Sequence, residues 1–357
     1  MFSIKQIKLF SATACSNPYK LVYTYKYYDY QDKKAGFNME TEQIKELSDR
    51  IQNNVSKVII GKKETVDLLI ASVIAGGHVL LEDVPGTGKT MLAKSLARSI
   101  GSDFKRVQFT PDLLPSDLTG INYFNQKQGD FIFRKGPIFT NILLADEINR
   151  ATPRTQSSLL ECMEEKQITI DGATYKLDEP YFVIATQNPV ETQGTFPLPE
   201  AQLDRFIIKT SIGYPTTSEA WDMLDRFKSE SPFDKLSAVC TETEITEAMH
   251  SCQKVFIHDD LKKYIIAIIE KTRAHESVEL GVSSRGGIAM VKMSKAFAAI
   301  HGREYVIPED IKFLSPFVFG HRIIMKDDYR IGRESALSVL SAIVDSVEAP
   351  TEKWEDN

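Results

Sequence analysis

Gly86, Gly88, Lys89 and Thr90 stand at a spacing suited to holding a chain of phosphates. The two glycines let backbone N–H groups turn inward, the helix that follows aims its positive end at the same point, and Lys89 adds a mobile charge. Thr90 can offer its hydroxyl to Mg²⁺. The run Asp83-Val84-Pro85-Gly86-Thr87-Gly88-Lys89-Thr90 meets the pattern G-x-x-x-x-G-K-[ST] except at its first position, where Asp83 replaces glycine. Asp83 falls at the end of a strand, whereas the cradling amides come from later residues. The substitution therefore changes the mouth of the loop and leaves the cradle intact. The plainer alternative is an ordinary glycine-rich turn from strand to helix.

Asp146 and Glu147 close the apolar run Asn141-Ile142-Leu143-Leu144-Ala145. One carboxylate there can hold the Mg²⁺ shell while the second orients and polarises an attacking water. Taken alone, such a pair would be a solvated turn. Asn188, at the end of Phe182-Val183-Ile184-Ala185-Thr186, can hydrogen-bond that water or a terminal phosphate, though an isolated Asn-Pro is also turn chemistry. Arg205 stands at a helix-to-strand junction. Arg285 follows a capping Ser283 in the first turn of a helix, where the helix dipole opposes a cation by about 0.3–1 kcal/mol, so an anion nearby explains it better than a surface role.

The elements that position these groups follow from the apolar spacing. Ile44, Leu47, Ile51, Val55 and Val58, then Val66, Leu69, Ile70 and Val73, recur at helical intervals and predict two helices before the strand at Leu80-Leu81. Leu92, Leu96 and Ile100 continue the helix that begins after Thr90. Strands then alternate with helices, which predicts a parallel sheet flanked by helices. Residues 121–135 read as a β-hairpin, as does a shorter stretch near 168–176. After Tyr214-Pro215 the strand pattern stops, and helices are expected over 217–228, 243–255, 259–274, 284–301, 308–319 and 333–347. The reading is an α/β nucleotide-binding domain over 39–213, an all-helical lid over 214–350 and a tail at 351–357.

The chain has 357 residues, 42% of them hydrophobic, enough for two cores. Forty-nine acidic against forty-three basic residues leave a net charge of −6 and no long basic run, so no dedicated nucleic-acid surface is expected. The four cysteines show no C-x-x-C spacing, which points to a reducing compartment without a disulfide frame or zinc site. No apolar run reaches the length of a membrane span, and a cytoplasmic location is expected. Six of the thirteen tyrosines crowd residues 19–30. Ala12-Thr13-Ala14 resembles a signal cleavage site, but the apolar region before it is short and broken by Lys8. Residues 1–38 read as a disordered extension, or as an over-long start with translation beginning at Met39.

Together the stretches 81–90, 145–151, 185–189, 198–206 and 283–286 resemble the AAA+ ATPases, and within them the MoxR group, over residues 40–350. The Asp83 departure itself resembles the MoxR form of the loop. The resemblance implies a P-loop AAA+ core with ATP and Mg²⁺ as cofactors. It makes Gly86, Gly88, Lys89 and Thr90 the Walker A site, Asp146 and Glu147 the Walker B pair, Asn188 the first sensor, Arg205 the arginine finger and Arg285 the second sensor. It matches the two hairpins to the helix-2 and pre-sensor inserts. It further implies a homo-oligomeric ring, often a hexamer, and chaperone-like maturation of partner proteins, some with a von Willebrand factor A domain. A nucleic-acid motor on a related core is the alternative, opposed by the acidic charge. A nucleotide-binding scaffold without turnover is disfavoured by the presence of both Asp146 and Glu147.

Overall fold

The computed structural model describes residues 39–190, 194–226, 232–326 and 335–350. The expected extension at 1–38 and tail at 351–357 lie outside the described residues. Helices α1 (Thr41–Val55) and α2 (Lys63–Ile74) lead into strand β1 (Val79–Glu82) and helix α3 (Lys89–Ile100). Strand β2 (Phe104–Gln108), the short helix α4 (Pro115–Thr119) and the hairpin β3 (Gly120–Asn125) with β4 (Asp130–Lys135) follow. Then come β5 (Ile142–Asp146), α5 (Pro153–Glu165), a second hairpin of β6 (Gln167–Ile170) and β7 (Ala173–Lys176), β8 (Phe182–Gln187), α6 (Glu200–Leu203) and β9 (Ile208–Thr210).

The main sheet has the order β2-β5-β8-β1-β9, and every neighbouring pair is parallel. Its central strands are near-continuous apolar runs because both faces are covered. Val79, Leu81, Ile142, Leu144, Phe182 and Ile184 point into a core shared with α1, α2 and α3. The alternate residues Leu80, Leu143, Ala145, Val183 and Ala185 point into a second core with Leu159, Leu160 and Met163 of α5. Parallel strands put all their carboxyl ends on one edge, so the residues just after β1, β5 and β8 must meet there.

The C-terminal region is helical: α7 (Thr217–Arg226), α8 (Glu242–Ser251), α9 (Asp259–Ala274), α10 (Ser284–Ile300), α11 (Pro308–Phe319) and α12 (Ala336–Ser346). It departs from an all-helical lid in one respect. Strand β10 (Val278–Leu280) pairs antiparallel with β11 (Ile324–Met325), tying the end of α9 to the segment after α11 with Val278 and Met325 buried between them. Helices α8 to α12 share the first core with α1 and α2, which pack on α10.

Buried polar groups pin the amino edge of the sheet. His78, just before β1, accepts from the Val183 N–H through Nδ1 and donates from Nε2 to the Met163 carbonyl, each at 3.0 Å. Burial pushes its pKa from 6.5 down to about 4. In that window the unfolded chain takes up the proton and the folded one resists it. The ring's contribution is therefore full above pH 6.5 and falls away as pH drops toward 4, by up to about 3 kcal/mol. The melting temperature should fall with pH across this range less steeply in His78→Gln than in the parent protein, as measured by calorimetry.

Candidate active site

At the carboxyl end of β1 the chain enters the loop 83–88. Gly86 and Gly88 adopt φ of +86° and +89°, a left-handed backbone that glycine takes without cost. A Cβ built on either meets nothing within 4 Å, so both glycines border open space. Lys89 begins α3 and folds its Nζ back to the carbonyls of Asp83 at 2.7 Å and Val84 at 3.2 Å, which holds its charge at the mouth of the loop. Thr90 is the next residue of the same first turn. Two left-handed glycines bordering open space, a helix N-terminus and a lysine fit a phosphate chain.

Asp83 does something that its place in the motif does not announce. Its buried carboxylate turns away from the loop and accepts the backbone N–H groups of Ile212 and, at 3.2 Å, Gly213, just past β9. What it offers the loop is its carbonyl, through Lys89.

The acidic pair lies beside the loop at the ends of β5 and β8. The Thr186 hydroxyl accepts the Glu147 N–H at 2.8 Å and donates to Asp146 Oδ1 at 2.6 Å, fixing both residues at once. Asp146 Oδ2 takes Arg106 Nη2 at 2.6 Å and Nε at 3.0 Å, so the carboxylate suited to a divalent cation faces a positive group. Glu147 adopts φ +57°, ψ +51°, an uncommon left-handed conformation for a residue with a side chain, and such strain concentrates at functional sites. Its Oε2 accepts Gln108 Nε2 at 2.7 Å and pairs with Arg150 Nε at 3.0 Å. Asn188 is buried and accepts the Val190 N–H at 3.1 Å. Thr186, Gln108 and Arg106 are site residues that the motifs did not single out.

Arg205 and Arg285 are not part of this cluster. Arg205 precedes β9, whose Ile208 is level with Val79 of β1, so it lies at the amino edge of the sheet, opposite the phosphate loop. There its Nε pairs with Glu164 Oε2 at 3.2 Å, and Arg285 of α10 binds the other oxygen of the same carboxylate. The segment bearing Arg205 is held by Arg322. This buried side chain pairs with Asp204 at 2.6 Å and donates to the carbonyls of Asp204, Phe206 and Ile207, while Ser283, the cap of α10, donates to Asp204 Oδ2 at 2.9 Å.

A family profile for the ATPase family associated with various cellular activities (AAA) matches residues 78–208, and one for the AAA lid domain matches residues 270–339. YeaC from Bacillus subtilis is 47% identical over 312 residues, which cover 87% of this chain and 98% of that protein. Chaperone MoxR1 from Mycobacterium tuberculosis is 35% identical over 305 residues, which cover 83% of this chain and 80% of that protein. The chain belongs to the MoxR group of AAA+ ATPases. A candidate ATPase from Cytophaga hutchinsonii, solved by crystallography, matches the fold of this MoxR-type ATPase with a TM-score of 0.82 at 38% identity, over 87% of this chain and 97% of that one. Nucleotide binding and ATP hydrolysis follow from membership. Among the described residues no helix is long and apolar enough to cross a membrane.

Removing the Asp83 carboxylate leaves two backbone donors without their acceptor beside the loop. Asp83→Ala should lower stability by about 2–3 kcal/mol, read by denaturant unfolding. Asp83→Asn, which keeps one acceptor oxygen, should lose less.

Proposed function

We propose that this MoxR-type ATPase hydrolyses ATP with Mg²⁺ and uses the turnover to remodel a partner protein, within an oligomer whose sites are shared between neighbouring copies. The observation that carries this reading is the split of the charged groups between the two edges of the sheet. The glycine loop, Lys89, Asp146 and Glu147 lie on one edge, and Arg205 with Arg285 on the other. Asp83 through Thr90 would hold the phosphates, Lys89 supplying the charge and Thr90 with Asp146 the Mg²⁺ ligands. The metal, when bound, neutralises charge that develops on the transferring phosphoryl group. Glu147, aligned by Thr186 and Gln108, orients and polarises the attacking water, and Asn188 stands beside it on the next strand. Arg205 and Arg285 serve the terminal phosphate of an adjacent copy, and a hexameric ring is the assembly the family resemblance favours.

Lys89→Ala should lose nucleotide binding, whereas Glu147→Gln should retain it and lose turnover. Arg205→Ala should keep nucleotide and lose turnover by on the order of 10³ or more. A mixture of Arg205→Ala and Lys89→Ala subunits should regain part of the activity, since an intact loop can then face an intact arginine. Normal phosphate release by Arg205→Ala alone, or no recovery in rings shown to be mixed, would overturn the shared site.

Partner contact fits the first hairpin. Phe124 and Phe131 pair across its tip with rings 5.4 Å apart and are 53% and 68% exposed, more than a solvated hairpin needs. At its base Phe133 stacks on Tyr175 of the second hairpin at 4.5 Å, so the two hairpins form one aromatic strip. A partner with a von Willebrand factor A domain is the class the family resemblance suggests. Phe124→Ala combined with Phe131→Ala should leave basal phosphate release within about twofold and abolish its stimulation by a partner. Loss of basal turnover would make the hairpin part of the ATPase core.

A further inference from the structure

Glu164, in the last turn of α5, divides its two oxygens between two arginines: Oε2 takes Arg205 Nε at 3.2 Å, and Oε1 takes Arg285 Nη2. Among the described residues neither arginine has a second carboxylate. Helix electrostatics alone would place neither Glu164 nor Arg285 where it stands. A carboxylate in the last turn of α5 and a cation in the first turn of α10 each oppose their own helix dipole. The contact between them offsets both.

The backbones that carry these three side chains are held independently. Met163, beside Glu164, is buried, and its carbonyl accepts His78 Nε2. Arg205 lies between Asp204 and Phe206, whose carbonyls both accept Arg322. Arg285 follows Ser283, whose hydroxyl donates to Asp204 Oδ2. What is left to fix is the two arginine side chains, among the richest in rotamer freedom, and Glu164 fixes both. The charge count has the same sense. Arg322 is buried and matched by Asp204, whereas Arg205 and Arg285, 30% and 46% exposed, share one carboxylate and keep one positive charge facing solvent. A carboxylate for each would cancel that charge, and with none the two guanidiniums would repel each other.

We infer that Glu164 is a positioning residue for the ATPase reaction: it holds the guanidiniums of Arg205 and Arg285 together, already ordered and still net positive, for the terminal phosphate of the adjacent copy. The inference rests on the reading of both arginines as groups that act in a neighbour's site. Glu164 touches no nucleotide itself and acts through them.

The test uses the full chain, with thermal melting to verify folding. Glu164→Ala should lower kcat by up to about a hundredfold and leave the affinity for a slowly hydrolysed ATP analogue within about twofold, because its own phosphate loop lies on the opposite edge of the sheet. Glu164→Gln, which keeps the shape and one acceptor oxygen, should lose less. Glu164→Ala subunits mixed with Lys89→Ala subunits should regain activity, since an intact loop then faces an intact pair of arginines. Mixed with Arg205→Ala subunits they should regain none. A loss of packing alone would follow the altered subunit's own site and would not give this pattern. The inference is overturned if folded Glu164→Ala turns over at the parent rate or faster while Arg205→Ala does not, if its defect lies in nucleotide affinity, or if it fails to complement Lys89→Ala in oligomers shown to be mixed. Normal turnover by Arg205→Ala would instead remove the arginine reading, and this inference with it.

Discussion

Five parallel strands covered on both faces leave polar chemistry only two places to go, the carboxyl edge and the amino edge. The interior of the sheet is closed to it: every residue of β5 is buried, and the first carboxylate the strand can present is Asp146 at its last position. The register then does the assembly. Gln108 of β2 is level with Asp146 of β5, and Glu82 of β1 with Gln187 of β8 one residue further along, so polar ends of four strands arrive within one residue of a common level. The site is a consequence of that alignment, and so is the exclusion of Arg205 from it.

The motifs were legible because phosphate chemistry fixes residue type and spacing within a few positions of one another. The helices were legible too: the apolar repeat over 259–274 and the capping Ser283 before 284 give α9 and α10 almost to the residue. What could not be read were pairings between distant segments. Thr186 bridges Asp146 and Glu147 across about 40 residues, and Arg322 reaches Asp204 across 118, with hairpins and helices between whose lengths carry no information about the contact. The small β10–β11 pair was invisible for a related reason, since two or three residues are too few to show an alternation. Nor could periodicity say what covers a helix. A helix is expected over 217–228, but only the fold shows that α7 leaves Trp221 and Leu224 in water.

Arg322 joins the sheet region to the helical region with most of its donors turned to backbone. A buried guanidinium is costly unless each N–H finds an acceptor. Here the acceptors are carbonyls from the segment that ends in β9, the Val318 carbonyl of α11 and the Asp204 carboxylate, which also receives the cap of α10. Two elements that carry the arginines of the amino edge, one from each region, thus share a single buried cation as their reference point. Their convergence on Glu164 is what such a common anchor allows.

The Asp83 carboxylate closes a short mechanical circuit. Its backbone is the first residue of the phosphate loop, where Lys89 grips its carbonyl, and its side chain grips the amides at 212–213 from which the chain runs on into α7. No compliant linker separates these grips; they are two ends of one residue. The loop's first residue and the backbone at 212–213 are thus fixed to one another through a single side chain, while α7, which begins at Thr217, is tied near its start by Lys62 and at its end by Arg226 on the Ser56 carbonyl. The residue that breaks the phosphate-loop pattern is thus a clamp between the loop and the end of the edge strand β9.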